Sequence, residues 1–167
     1  SFTALPTQYV IKSNHANGQV LKSTVARKMS TTDIKQHLSR WIQRTYGNET
    51  NEYWYQAISP QLYAEEILRP ETGRTLDDYK FFVMNRNCFC IQVDQDRATH
   101  HKRILYNRHW QPCEFGLKYP MGRYSPPPPQ LSEMIALSET LAPNDDIYRI
   151  DFYVTEKGVK FGEMTLA

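Results

Sequence analysis

Long apolar runs are missing from this chain of 167 residues: none approaches the roughly 20 apolar residues that a membrane-spanning helix needs, and no signal-peptide pattern opens it. Cysteine is scarce. Cys88, Cys90 and Cys113 are odd in number and lack the two-residue spacing of a zinc knuckle, which points to buried or free thiols in a reducing cytoplasm. Net charge is nearly absent, and +2 is too little to argue for nucleic acid. No internal repeat is visible, and no linker except the proline run at 126–129. The chain opens on Ser1 and stops at Ala167 just after an apparent strand, so it is expected to be a segment of a longer protein. What is present is globular: 40% hydrophobic and 13% aromatic residues suffice for a cored domain.

The periodicities alternate between strand and helix. Residues 9–12 and 19–22 read as short strands around a polar loop, Ser13-Asn14-His15-Ala16-Asn17-Gly18. A helix follows, with Thr31 or Thr32 as its cap, Ile34, Leu38, Trp41, Ile42 and Thr45 on one face, and Gly47 as its stop. Residues 62–68 read as a strand, and 79–84 with 88–94 as a hairpin around Asn85-Arg86-Asn87. A further strand is expected at 104–107, and the proline run leads into a helix at 130–141 with Leu131, Met134, Ile135, Ser138 and Leu141 at helical spacing.

The last twenty residues carry the most chemistry. IYRIDFYVTEKGVKFGEMTL reads as two alternating runs around Glu156-Lys157-Gly158, a three-residue loop with glycine where a left-handed backbone is needed. Pairing Thr155 with Val159 sets Tyr153 against Phe161, Asp151 against Glu163 and Arg149 against Thr165 on one face, while Ile150, Phe152 and Val154 turn to the other. Opposed carboxylates repel, so such a pair needs a cation or a raised pKa. Oxygen-only ligands suit magnesium, and Arg149 can then meet a phosphoryl group. The alternative is a solvent-facing hairpin with ordinary surface charges.

Three other places offer weaker signals. Lys12 ends an apolar strand before a glycine-containing loop and can reach a phosphate, although no GxxxxGK[S/T] loop is present and strand-end lysines are mostly solvated. Glu65-Glu66-Ile67-Leu68 can present a backbone C=O and N–H to an adenine edge, as any edge strand can. Asp78 and Lys80 share a strand face and can meet a ribose hydroxyl and a phosphate, or simply form ion pairs.

In order, VIKSNHANG, an amphipathic helix, YAEEIL, DYKFF, a second helix, YRIDFY and FGEMT resemble the ATP-binding half of the ATP-grasp superfamily. More narrowly, LPTQYVIKSNHANG with DDYKFF and RIDFYV…FGEMT is similar to the TupA-like subgroup associated with teichuronopeptide synthesis, from Leu5 to Thr165. The resemblance implies an α+β fold of antiparallel sheets with packed helices, lacking the family's N-terminal lobe. It implies a phosphate-loop subdomain at 1–60 and an adenine and metal subdomain at 61–167. Lys12 would touch the ATP phosphates, Ser13, Asn14, His15, Ala16, Asn17 and Gly18 would close over them, and Glu65, Glu66, Ile67 and Leu68 would hold adenine. Asp78 would lie against the ribose and Lys80 near phosphate; Arg149 would steady the transferred phosphoryl, with Asp151, Glu163 and Thr165 around Mg2+.

Members of the superfamily activate a carboxylate as an acyl phosphate that an amine or thiol then attacks. Two departures stand out. Thr165 occupies the place where many members have a metal-binding Asn, and the sequence ends before the position of a Pro-Gly. The implied protein is a cytoplasmic ligase of cell-envelope polymer synthesis using ATP and Mg2+. A non-catalytic nucleotide or polymer-binding module, accessory to a glycosyltransferase, is the second reading. A phosphotransferase is the third, lowered by the absence of HRD and DFG motifs. Finally, Arg97, His100, His101, Lys102, Arg103, Arg108 and His109 crowd into thirteen residues with Tyr106 and Trp110. They form either a basic aromatic surface for an acidic small-molecule or polymer acceptor, or a solvated loop face. His100 and His101 with Cys113 have poor spacing for zinc.

Overall fold

The computed structural model describes residues 8–24, 29–47, 53–72, 75–97 and 99–167, so Leu5, Pro6 and Thr7 of the first motif lie outside the described residues. The chain divides into two compact units, 1–67 and 68–167.

In the first unit, β1 (Tyr9–Ser13) lies between β2 (Val20–Ser23) and β3 (Leu62–Glu66), antiparallel to both. Alternation along β1 turns Tyr9 and Ile11 into a core with Ile34 and Leu38 of α1 (Thr31–Gln43). The helix starts one residue before the expected caps: the Ser30 hydroxyl accepts a 3.1 Å bond from the Asp33 N–H, so Thr31 is already helical. It also ends earlier than Gly47. Arg44 turns extended, which leaves Thr45 outside the helix, and Ile42 is 46% exposed rather than on the packed face. A short 3-10 helix (Tyr53–Ala57) precedes β3, which stops at Glu66 rather than Leu68.

The second unit is a five-stranded antiparallel sheet in the order β6-β5-β4-β7-β8. Its strands are β4 (Asp78–Met84), β5 (Asn87–Gln95), β6 (Lys102–Asn107), β7 (Ile147–Thr155) and β8 (Gly158–Leu166). Asn87 pairs with Met84, so the β4–β5 loop has two residues rather than three; Asn85 and Arg86 take φ of 49° and 57°, the left-handed pair of a tight hairpin. Across the sheet, Tyr106, Ile91, Phe81 and Ile150 stand in register and are fully buried. Period-two alternation on each strand produces this apolar row, and α2 (Leu131–Leu141) packs on it through Met134 and Ser138. Leu141 is 46% exposed; Ala142, one residue on, enters the core instead. Trp110 stacks on Tyr106 at 4.1 Å and donates through its indole N–H to the Ser125 carbonyl. Both units are thus antiparallel sheet with helix, an α+β fold. Among the described residues no helix is long and apolar enough to cross a membrane.

The terminal hairpin differs from expectation near its turn and agrees with it farther out. Thr155 pairs with Gly158, Val154 with Val159, Tyr153 with Lys160 and Phe152 with Phe161. Phe161 therefore faces Phe152 rather than Tyr153, with ring centroids 6.3 Å apart. The loop is Glu156-Lys157, and Gly158 takes the expected left-handed backbone at φ 84°. Between Asp151 and Phe152 the register slips by one residue, after which Asp151 faces Glu163 and Arg149 faces Thr165.

Candidate functional site

The residues between the core positions point to the other face of the five-stranded sheet. That face is polar and yet largely closed to solvent: Asp78 is 1% exposed, Asp94 1%, Asp151 3% and Lys80 8%. Bare charges at this depth would be costly, and each is paired. Lys80 forms an ion pair with Asp151 Oδ2, and its Nζ lies 3.1 Å from Asp78 Oδ2. Arg97 reaches back from the end of β5 to Asp78. Arg103 grips Asp94 with two bonds of 2.6 and 3.0 Å. Burial alone would raise the Asp94 pKa, but the hydrogen bond and charge of Arg103, joined by His101, hold it below the ordinary carboxylate range.

Arg149 is the hub of the hairpin end. Its Nε donates to Asp151 Oδ1 at 2.7 Å, and its Nη2 lies 3.1 Å from Thr165 Oγ1 and 3.4 Å from Glu163 Oε2. Thr165 Oγ1 in turn donates to Glu163 Oε1 at 2.9 Å. One guanidinium thus sits among two opposed carboxylates and a hydroxyl, where a cation is needed. Burial lowers the Arg149 pKa, while the hydrogen bond and charge of Asp151, then the charge of Glu163, raise it above its ordinary value overall. Asp151 is buried; the Glu163 side chain is 60% exposed and faces solvent on the edge strand.

The first unit holds the other sequence candidates except Leu68, with which the second unit begins. Lys12 projects from the β1 face opposite α1, and its Nζ is 2.5 Å from Glu65 Oε2. In the following loop, Asn14 accepts from the Gln61 N–H at 2.8 Å and donates to the Ser59 carbonyl at 3.1 Å. His15 is buried, its Nε2 2.9 Å from the Trp41 carbonyl at the end of α1. Those two side chains hold the loop to the fold, whereas Asn17 and Gly18 are exposed, and Gly18 turns the chain at φ 76°. Ala16 is half-buried. Buried Ser13 Oγ, His15 Nδ1 and Gln19 Oε1 have no hydrogen-bond partner. Glu65 and Glu66 are exposed on β3, an edge strand, and the half-buried Ile67 and Leu68 continue from it.

The second unit therefore brings Asp78, Lys80, Arg149, Asp151, Glu163 and Thr165 onto one face, as alternation along each strand implied. Sequence reasoning missed Asp94, Arg97 and Tyr153 as members of the same network. Burial and the Asp78 charge push the Tyr153 phenol well up. The signal was present in IQVDQ, where Gln92 and Asp94 alternate with apolar residues.

The basic aromatic surface is one of two readings of 97–110, the other being a solvated loop face, and several of these residues are engaged within the fold. Arg97, Arg103 and Arg108 are tied to Asp78, Asp94 and Glu139, His101 stacks on Tyr119 at 3.8 Å, and Tyr106 and Trp110 are core. β6 starts at Lys102 rather than 104, and a strand sends neighbouring side chains to opposite faces. Cys88 is buried beneath α2, and burial pushes its thiol up to about 12.

Comparison with curated proteins gives no match. Two solved structures of the ATP-grasp ligase PsnB are similar to the chain. One, with a phosphomimetic variant of minimal precursor, Mg and ADP, has a TM-score of 0.42 at 10% identity. The other, with minimal precursor, Mg and ADP, has 0.41 at 11%. Each covers 95% of this chain, which spans 38% of theirs. The model of the TupA-like ATP-grasp family matches residues 1–167, the whole of the sequence with its strand lysine, its DYK strand and its acid-bearing hairpin, and the chain belongs to that family.

Proposed function

We propose that the chain is the ATP- and Mg2+-binding region of a carboxylate–amine ligase that works through an acyl phosphate, in cell-envelope polymer synthesis in the cytoplasm. The observation that carries this reading, beside the family, is the convergence of Asp151, Glu163 and Thr165 on the single Arg149 guanidinium. These are hard oxygen donors, two of them anionic, and they already surround a positive charge, so the donor set fits Mg2+. Thr165 supplies a weaker neutral oxygen than the Asn usual in many superfamily members.

In this reading Asp151 and Glu163 hold the ion, with Thr165 completing the protein's oxygens. When bound, Mg2+ neutralises charge on the phosphates. Arg149, released from the acids, donates to the transferred phosphoryl, and Lys80 balances the buried charge of Asp78 and Asp151 beside it. In the first unit Lys12 contacts phosphate, with the loop of Ser13, Asn14, His15, Ala16, Asn17 and Gly18 closing over it. The unpartnered polar atoms of Ser13 and His15 support a polar occupant there. Glu65, Glu66, Ile67 and Leu68 offer backbone groups to adenine, and Asp78 an oxygen to ribose. A carboxylate oxygen of the donor attacks the γ-phosphorus and ADP leaves; an amine nitrogen then attacks the acyl carbon and phosphate leaves. In the full-length protein, Asp151→Asn is expected to abolish Mg2+-dependent ATP binding, measured by calorimetry. Unaltered affinity in that variant would overturn the assignment.

A further inference from the structure

We propose that Gly162 is an extra residue in β8 that only glycine can occupy: slipped out of the ladder without a side chain, it lets Glu163 and Thr165 stand opposite Asp151 and Arg149. The inference rests on reading those acids as the metal site. Pairing outward from the turn runs Thr155 with Gly158 and Phe152 with Phe161. Continued unchanged, it would set Gly162 opposite Asp151, Glu163 opposite Ile150 and Met164 opposite Arg149. Glu163 would then share the face of Ile150 and Phe81, the fully buried apolar row. The observed pairs are instead Asp151 with Glu163, Ile150 with Met164 and Arg149 with Thr165. One extra residue in β8 accounts for the slip, and Gly162 is that residue.

The need for glycine there is a need for space. Gly162 is not in the left-handed region, but a Cβ on it would lie 2.8 Å from Tyr153 Cε2 and 3.2 Å from the Asp151 carbonyl oxygen. The first contact is a clash, and the second falls on the backbone of the buried metal acid. β7 is held between β4 and β8, whereas β8 is an edge strand with β7 as its one neighbour in the sheet. A side chain at 162 therefore displaces β8 and carries Glu163 away from Asp151.

This yields an unusual ranking of variants. Deleting Gly162 removes the slip and leaves Glu163 next after Phe161, hence still opposite Asp151. Gly162→Ala keeps the extra residue and adds the clash. In the full-length protein, the Mg2+ midpoint for ATP binding is expected to rise about tenfold or more in Gly162→Ala, the loss usual when a metal ligand's support is removed. Metal-free ATP affinity should stay near wild type. The deletion should retain the wild-type midpoint. A wild-type midpoint in Gly162→Ala, or a deletion more damaging than the alanine, would overturn the proposal. If the wild-type protein shows no Mg2+ dependence, the metal reading fails while the register claim stays testable. Arg149→Cys with Thr165→Cys should then cross-link and Arg149→Cys with Met164→Cys should not, with cross-linking lost on adding Gly162→Ala; the opposite pairing overturns it.

Discussion

Beneath α2 the five-stranded sheet presents Phe81, Ile91, Tyr106 and Ile150; one residue along the same strands it presents Lys80, Gln92 and Asp151, almost as well covered. The first row is held by burial of apolar area, which needs no particular partner. The second requires every charge to meet an opposite one, and Lys80, Asp78, Arg97, Asp151 and Arg149 form a chain of such meetings. Burying ions rarely stabilises a fold as well as apolar groups of the same size. The polar face is thus the costlier way to fill the sheet.

Substitutions can pull the two faces apart. Phe81→Ala, on the apolar face, should cost about 3–5 kcal/mol in chemical denaturation while leaving ATP affinity per folded molecule unchanged. The reverse is expected of the double change Lys80→Met with Asp151→Leu. Exchanging the buried pair for apolar groups should be neutral or stabilising by about 1–4 kcal/mol, and Mg2+-dependent ATP binding should disappear. A large loss of stability in that double variant would show the polar face to be a structural device. The smallest effect is in pH. Asp94 titrates below the ordinary carboxylate range, so its contribution is present at neutral pH and is lost as pH falls from about 4 through its lower folded value. Asp94→Asn should therefore flatten the acid side of the stability profile, as read from denaturation midpoints at successive pH values. An unchanged acid limb would assign that pairing no linkage.

Much of this is legible in the sequence. RIDFY and FGEMT each alternate, and alternation alone puts Arg149 with Asp151 and Glu163 with Thr165. Joining the two strands was harder. A three-residue loop and an uninterrupted ladder give the right partners for Asp151, yet the hairpin has a two-residue loop followed by a slip at Gly162, and the two differences cancel. Near the turn they do not, and Phe161 moved across the sheet. Among the basic residues at 97–109, Arg97, Arg103 and Arg108 meet three different acids, Asp78, Asp94 and Glu139, and His101 shares Asp94 with Arg103.

The sequence by itself determined which residues share a face within each strand and helix, because side-chain direction follows from backbone period and needs no neighbour. The tertiary structure decided the register between strands, the acid each arginine meets, and the room for a Cβ beside Tyr153. Those depend on distances between segments far apart in the chain, where one extra residue reverses every face that follows.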